Sequence, residues 1–323
     1  MRKLLLGVMA AAVVVSLNFG SASPAAAEKL RIAMVLWRGE TEADQGFKDK
    51  LRELGYATQY TVMDAKQDRG SLRHLLTNVL IANLGDFDYV YSYGTTASQM
   101  TKFILQNRIP HVFSNVAAPV RSKVVRSMDS SGENISGTSN RIPVSVQIEI
   151  ILRILKFKRI GILFNPREKN SALMREELYR ASEKFDFQVV DLRSPPAMDM
   201  LQKNLRKLTD RSVVVDAIYL PLDSFLITQA EEIGAKLRAA KIPSIGAQKK
   251  FMGNGALLGV IPDYYALGQE VAMMVHRHRT GEALGDMRIG TVKEPILMIN
   301  ETTRQALDIT IPKGLVKNTV VVY

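Results

Sequence analysis

The sequence predicts an α/β fold with parallel sheets, divided into two lobes. Apolar strands alternate with helical segments almost throughout the chain, which is the pattern of parallel sheets covered by helices. The chain is also longer than one hydrophobic core usually supports, which favours two domains. Strands are predicted near Arg31–Leu36, Thr58–Val62, Tyr89–Tyr91, His111–Phe113, Ile135–Thr138, Arg159–Leu163, Gln188–Asp191, Ala217–Leu220, Ile242–Ile245 and Ala256–Val260.

Two stretches of the sequence resemble each other and suggest that one βαβ unit is used twice. Residues 31–64 and 159–191 both begin with Arg-Ile and continue as an apolar strand. Each then passes through a polar loop and a charged amphipathic helix, and ends in a second strand that closes with Asp. Duplication predicts two similar lobes. Chance similarity is the alternative, because all βαβ units share this order.

The first residues have the three parts of a secretory signal peptide. Arg2 and Lys3 precede an apolar stretch from Leu4 to Leu17, and a small-residue segment ends in Ala25-Ala26-Ala27. We expect cleavage after Ala27, because the apolar stretch is shorter than the roughly 20 residues that span a bilayer. The chain contains no cysteine, so neither disulfides nor a lipid-anchoring cysteine is expected in the exported protein.

Short polar side chains follow the predicted strands and are the candidate binding residues. In open α/β sheets a ligand lies beyond the carboxyl ends of the strands, where helix N-termini present free N–H groups. Helix capping is the alternative explanation for the Thr, Asn and Asp residues, and a core position is the alternative for the single tryptophan. The candidate ligand-binding residues are Trp37, Thr95, Thr96, Ser114, Ser139, Glu168, Asn170, Asp223 and Asp263.

Three segments are suited to carry the chain between the lobes. They are residues 132–145, 259–265 and 281–295, which are short or rich in small residues. We therefore expect residues 1–27 to be the signal peptide. The N-terminal lobe is expected to comprise residues 28–139 and 263–284, and the C-terminal lobe residues 140–262 and 285–323.

The sequence offers little that supports catalysis. It lacks the Gly-x-Ser-x-Gly elbow, the phosphate-binding loop and the His-Glu-x-x-His zinc motif. We expect no catalytic residue, no metal site and no cofactor. The formal net charge is +11, but no run of Lys and Arg interleaves with aromatic residues, so nucleic acid is not an expected partner.

Several segments together resemble the ABC-transporter substrate-binding proteins of the tryptophan/phenylalanine-binding type, which are similar to type I periplasmic binding proteins. The likeness covers nearly all of the chain after the signal peptide. The matching segments are "GTTASQ" at 94–99, "VFSNVAAPV" at 112–120, "GENISGTSN" at 132–140, "GILFNPREKNS" at 161–171, "AIYLPLDSF" at 217–225 and "GVIPDYYALGQEVAMM" at 259–274.

The resemblance implies two Rossmann-like lobes joined by a three-stranded hinge, with a small polar solute such as an amino acid held in the cleft. It implies a periplasmic monomer that delivers the solute to an ABC permease and its ATPase at the inner membrane. The chain departs from the family at Ala117-Ala118-Pro119, where relatives commonly carry an acidic residue before the proline. A ligand-sensing subunit for a membrane kinase or receptor is the first alternative, and a secreted hydrolase is the second.

Overall fold

The computed structural model describes residues 29–312, 314–315 and 317–323. Among these residues the chain forms two sheets, one of five strands and one of seven. The predicted signal peptide lies outside the described residues. The α/β fold with two lobes of mainly parallel sheet is confirmed.

The first sheet contains five parallel strands in the order β2-β1-β3-β4-β5. Its strands are β1 (Leu30–Leu36), β2 (Thr58–Asp64), β3 (Tyr89–Tyr93), β4 (His111–Ser114) and β5 (Ile135–Gly137). The helices between them are α1 (Glu42–Glu53), α2 (Arg69–His74) with a π-helical continuation over Leu75–Leu80, a 3-10 turn at Leu84–Asp86, and α3 (Thr95–Leu105).

The second sheet has the order β12-β11-β10-β9-β8-β6-β7, and only the pair β10–β11 is antiparallel. Its strands are β6 (Arg159–Phe164), β7 (Gln188–Arg193), β8 (Ala217–Leu220), β9 (Ser244–Gly246), β10 (Leu258–Ile261), β11 (Ile296–Asn300) and β12 (Asn318–Val322). The helices that follow β5 are α4 (Val144–Ile151), α5 (Lys169–Phe185), α6 (Met198–Thr209), α7 (Ser224–Thr228), α8 (Ala230–Ala239), α9 (Lys249–Gly253), α10 (Tyr264–Arg279) and α11 (Glu301–Ala306). A 3-10 turn at Leu284–Asp286 lies between α10 and β11. Helix α10 packs on the first lobe.

Each sheet is covered on both faces, as parallel sheets require. Ile32 and Tyr91 contribute to a core on one face of the first sheet, and Val35 and Val90 to a core on the other. The second sheet is likewise enclosed by two apolar clusters. Central strands such as β1 and β6 are therefore apolar on both faces and read as continuous runs, whereas the edge strands β2, β7 and β12 are half-buried or exposed for most of their length.

The two lobes begin with the same arrangement. Strands β1 and β2 flank α1 in sequence and pair directly, and β1 also pairs with β3. In the second lobe β6 and β7 flank α5 and pair directly, and β6 also pairs with β8. The predicted similarity of the two opening units is therefore present in the topology.

The chain passes between the sheets in three places. After β5, Thr138 pairs with Gly290, and the chain continues into α4. After β10 it returns through Pro262 to α10, which packs along α1. After Gly290 it enters the second sheet again at β11.

The exact lobe boundaries stay a prediction. Met287 packs in the core of the first lobe with Leu284, and Ile289 packs against residues after β4, including Val116. We therefore propose that the third boundary lies near Gly290 rather than at residue 284.

The α1–α10 contact is a close approach of two helix backbones. A Cβ on Gly46 would meet the carbonyl group of Tyr265, and one on Gly268 would meet the carbonyl oxygen of Ala43. Glycine is required at both positions because no side chain fits between the backbones. The contact fixes the start of α10, and with it Tyr264, against the first lobe.

Candidate functional site

The carboxyl ends of the two sheets face each other across a cleft. Helix α1 begins beside this edge of the first lobe, and α9 begins beside the corresponding edge of the second. The ammonium of Lys249 lies 3.1 Å from a carboxylate oxygen of Glu42, so the two edges are in contact. Both side chains are more than half exposed, and such a pair contributes little to stability.

A cavity of about 80 Å³ lies between the lobes. Ala117 and Ala118 come from the loop after β4, Asn140 from the first crossing, and Pro262 from the second. Residues of α4, α5 and the ends of β8, β9 and β10 complete the wall. This space exceeds the roughly 10–15 Å³ of the same measure that one water molecule needs.

One side of the cavity is apolar and belongs mainly to the second lobe. Leu173 and Met174 lie on α5, and Leu222, Ala247 and Val260 lie at the ends of three strands. This wall can accept an aliphatic or aromatic body by removing apolar surface from water.

The cavity wall also carries an ion pair. A guanidinium nitrogen of Arg141 contacts Glu177 Oε1, and the backbone N–H of Val144 donates to Glu177 Oε2 over 3.3 Å. The Glu177 side chain is only 10% exposed, whereas the Arg141 side chain is 44% exposed. The carboxylate is thus held inside, and the guanidinium reaches the cavity.

The floor of the cavity is fixed by a buried hydrogen-bond chain. The Tyr219 hydroxyl donates to Gln147 Oε1 over 2.9 Å, and Gln147 Nε2 donates to the carbonyl of Ile142 over 3.0 Å. Burial raises the pKa of Tyr219 well above its usual value, so the hydroxyl keeps its proton. Gln147 is therefore held by contacts at both ends of its amide.

Two further polar groups stand beside the cavity. Burial raises the pKa of Tyr264 to about 12, with the nearby Tyr93 adding to the effect and a hydrogen bond from Asn140 opposing it. The Asn140 Oδ1 atom is buried and has no hydrogen-bond partner within residues 29–312 or the described C-terminal segments. Because an unpaired buried acceptor is unfavourable, Asn140 Oδ1 is available to a donor on a solute.

Some of the predicted residues of the first lobe lie near the cleft edge without lining the cavity. Thr95 and Thr96 begin α3 after Gly94, whose φ of 82° places it in the left-handed region, and both threonines are half-buried. Ser114 is fully buried at the end of β4. Trp37 is half-buried and packs against the core beneath β1. Their role in binding stays a prediction.

The predicted residues of the first crossing and of the α5 loop lie closer to the cavity. Asn170 is part of its wall. Ser139 Oγ donates to the carbonyl of Ala117 and accepts the N–H of Arg141, both over 3.3 Å, so it positions two cavity residues. Glu168 stands at the start of α5 and accepts hydrogen bonds from the N–H and the hydroxyl of Ser224.

Asp223 and Asp263 do not line this cavity, and their role in binding stays a prediction. Asp223 is 0% exposed, and its carboxylate accepts the backbone N–H groups of Phe225, Leu226 and Asn165. Asp263 caps α10 by accepting the N–H of Ala266 and faces a different groove. The capping explanation therefore accounts for both aspartates.

Sequence reasoning did not select Arg141 or Glu177. They are distant in sequence, and Glu177 belongs to a charged helix segment that resembles an ordinary solvated face. Asn115, which directly follows Ser114, is also absent from the predicted binding residues. It is buried with a φ of 59°, and its side-chain amide has no partner among the described residues. Its position directly after β4 is the sequence feature that could have identified Asn115 as a candidate binding residue.

The described residues contain no group of three His, Cys, Asp or Glu side chains arranged to hold a metal ion. In the same part of the chain, no helix has the length and apolar character needed to cross a bilayer.

The fold and the cavity define a class of protein. Two lobes of mainly parallel sheet, joined by three crossings with a cavity between them, form the architecture of type I periplasmic binding proteins. The chain belongs to the ABC transporter substrate binding protein family, whose profile matches residues 32–322.

Known relatives agree with this assignment. The chain is 25% identical over 272 residues to a tyrosine-binding protein of Clostridioides difficile, covering 83% of this chain and 76% of the relative. It superposes with a TM-score of 0.82 on the ligand-free, open structure of a substrate-binding protein with adhesive properties from Clostridium difficile, at 22% identity, covering 91% of this chain and 100% of the other. For a Streptococcus pneumoniae ABC domain in complex with L-Trp the TM-score is 0.68 at 23% identity, with 90% and 100% covered.

Proposed function

We propose that the protein captures a small polar solute, an amino acid or a similar compound, between its lobes and delivers it to an ABC importer. The observation that carries this proposal is the cavity, whose wall combines the loop after β4 in the first lobe, two of the crossings, and α5 in the second lobe. A solute that touches both lobes has different affinities for their open and closed arrangements. Only such a solute shifts the equilibrium between them.

The amino-acid assignment is supported by two relatives. The curated relative is a tyrosine-binding protein, and the Streptococcus pneumoniae structure holds L-Trp. The apolar wall formed by Leu173, Met174 and Leu222 suits the body of such a solute.

The remaining parts of the proposal concern location and partners. The protein is exported to the periplasm by its N-terminal signal peptide and acts there as a monomer that turns over no substrate. Its partner is an ABC permease with its ATPase at the inner membrane. The family assignment supports this partner, since substrate-binding proteins of this family serve ABC transporters.

Native mass spectrometry of protein purified without denaturation tests the proposal. We expect a species heavier than the chain by one small molecule, and loss of the excess mass after unfolding. The solute, re-added to stripped protein, should bind in calorimetry and be recovered unchanged after incubation. Failure to retain or rebind any small molecule would contradict the proposal.

A matched pair of variants ties binding to the cavity. Ala118→Trp fills space in the cavity wall and should abolish binding, because Ala118 lines the cavity. Ala82→Trp adds the same side chain at an exposed position of the first lobe and should bind normally. Equal binding by both variants would place the solute elsewhere.

A further inference from the structure

The acidic side chains around the cleft already have partners. Glu177 is paired with Arg141, and Asp223 is sealed beneath three backbone N–H groups. Glu168 accepts two hydrogen bonds from Ser224. An ammonium group on a solute would therefore have to displace an existing partner to reach a carboxylate.

The loop after β4 supplies no acidic residue to the cavity wall. Ala117 and Ala118 occupy that part of the wall and present methyl groups to the cavity. This side of the cavity offers no negative charge to a cationic group.

A positive charge, in contrast, reaches the cavity. Arg141 lines the cavity and its side chain is 44% exposed. Burial lowers the pKa of Arg141, and the positive charges of Arg180 and Arg121 lower it further.

We propose that Arg141 binds a carboxylate of the solute, and that the natural ligand is a small carboxylic acid with an apolar body whose amino group, where present, is not recognised. The proposal rests on the proposed function, because it assumes that the solute occupies the cavity. It assigns Arg141 as the residue that determines specificity for an acid.

The geometry of a guanidinium allows Arg141 to serve both partners. Arginine carries five N–H donors in a planar fork, and Glu177 Oε1 contacts one of its terminal nitrogens. Another edge remains for a carboxylate in the cavity, which can bind it with two parallel hydrogen bonds. The apolar wall at Met174 and Leu222 then holds the hydrocarbon part of the acid.

The alternative is that a zwitterionic solute separates Arg141 from Glu177. Its carboxylate would then bind Arg141 and its ammonium would bind Glu177. Three series of probes separate the two arrangements by calorimetry. Each series presents one body, phenyl, 4-hydroxyphenyl or isobutyl, as the amino acid, the des-amino acid and the amino-acid amide.

We expect the des-amino acid of the preferred body to bind within threefold of the amino acid, and the amide to bind at least tenfold more weakly. An amino acid that binds more than tenfold tighter than its des-amino analogue would overturn the proposal.

Variants of the ion pair give a second, independent readout. Arg141→Gln should weaken acid binding at least tenfold, whereas Arg153→Gln, which removes an exposed arginine of the same lobe, should not weaken it. Glu177→Gln should tighten acid binding at least threefold, because the amide still accepts the Val144 N–H but no longer competes as an anion. Loss of binding in Glu177→Gln would show that the carboxylate holds an ammonium.

The proposal and the proposed function fail in different ways. If native mass spectrometry finds a retained neutral or cationic solute and no acid binds, the protein is a solute-binding protein but the assignment of Arg141 is wrong. If no small molecule is retained and none of the probes binds, both are wrong.

Discussion

Replacement of Asp223 by alanine should destabilise the second lobe by about 1.5–2.5 kcal/mol. The carboxylate caps α7 through the N–H groups of Phe225 and Leu226, and loss of an N-cap costs about 1 kcal/mol. The same carboxylate accepts the N–H of Asn165, which also donates to Ser171 Oγ over 3.0 Å, so this donor keeps a partner and the lost bond costs about 0.5–1.5 kcal/mol. Asp223 is completely buried, so water cannot replace these bonds.

A graded series makes the reasoning testable. Asp223→Asn retains the oxygen that caps α7 and should lose about 0.5–1.5 kcal/mol, the share of the Asn165 contact. Asp263→Ala removes a half-exposed cap with one hydrogen bond and should lose about 1 kcal/mol or less.

Urea unfolding followed by circular dichroism measures the differences in the free energy of unfolding. A loss below about 0.5 kcal/mol in Asp223→Ala, which is the range of ordinary surface substitutions, would refute the structural role of Asp223. So would a loss of solute binding with unchanged stability.

Three further predictions concern packing, pH and spectroscopy. Gly268→Ala should destabilise the protein by about 1–3 kcal/mol in urea unfolding, because the added Cβ would collide with the Ala43 carbonyl. The control Gly85→Ala adds its Cβ to open space and should not destabilise the protein. Equal free energies of unfolding for the two variants would contradict the close contact between the helices. Burial lowers the pKa of His111 to about 3. Between about pH 6.5 and 3, His111 therefore binds a proton in the unfolded chain but not in the folded protein. The free energy of unfolding should consequently fall by about 2 kcal/mol from pH 7 to 5. His111→Gln should remove that difference, and an equal fall in both proteins would exclude His111 as its source. Trp37 is the single tryptophan, so a change in its surroundings is visible directly in the emission spectrum. We predict that this emission shifts when solute binds. Binding detected by calorimetry without such a shift would show that the solute does not affect Trp37.

Most of the fold could be predicted from the sequence because parallel strands buried on both faces are apolar runs with clear ends. The strands at Leu30–Leu36 and Arg159–Phe164 are of this kind, and their predicted positions are confirmed within a residue. β11 and β12 were not predicted. They follow the segment assigned to the third crossing, and β12 is an edge strand whose residues are half-buried or exposed.

The site was harder to predict because a rule based on strand ends selects helix caps as readily as ligand-binding groups. Asp223 follows its strand as a binding residue would, but its hydrogen bonds hold a turn together. Arg141 and Glu177 meet only because the first crossing passes beside the middle of α5. That contact depends on how the first crossing packs against α5, which no local sequence pattern reports.

A crystal structure of the protein with its retained solute tests the central claim most directly. We predict solute density in the cavity beside Asn140 and Met174, with contacts from both lobes and the guanidinium of Arg141 on an acidic group. Density on one lobe alone, or in the separate groove that Lys50 and Arg277 line on the far side of α10, would contradict the account.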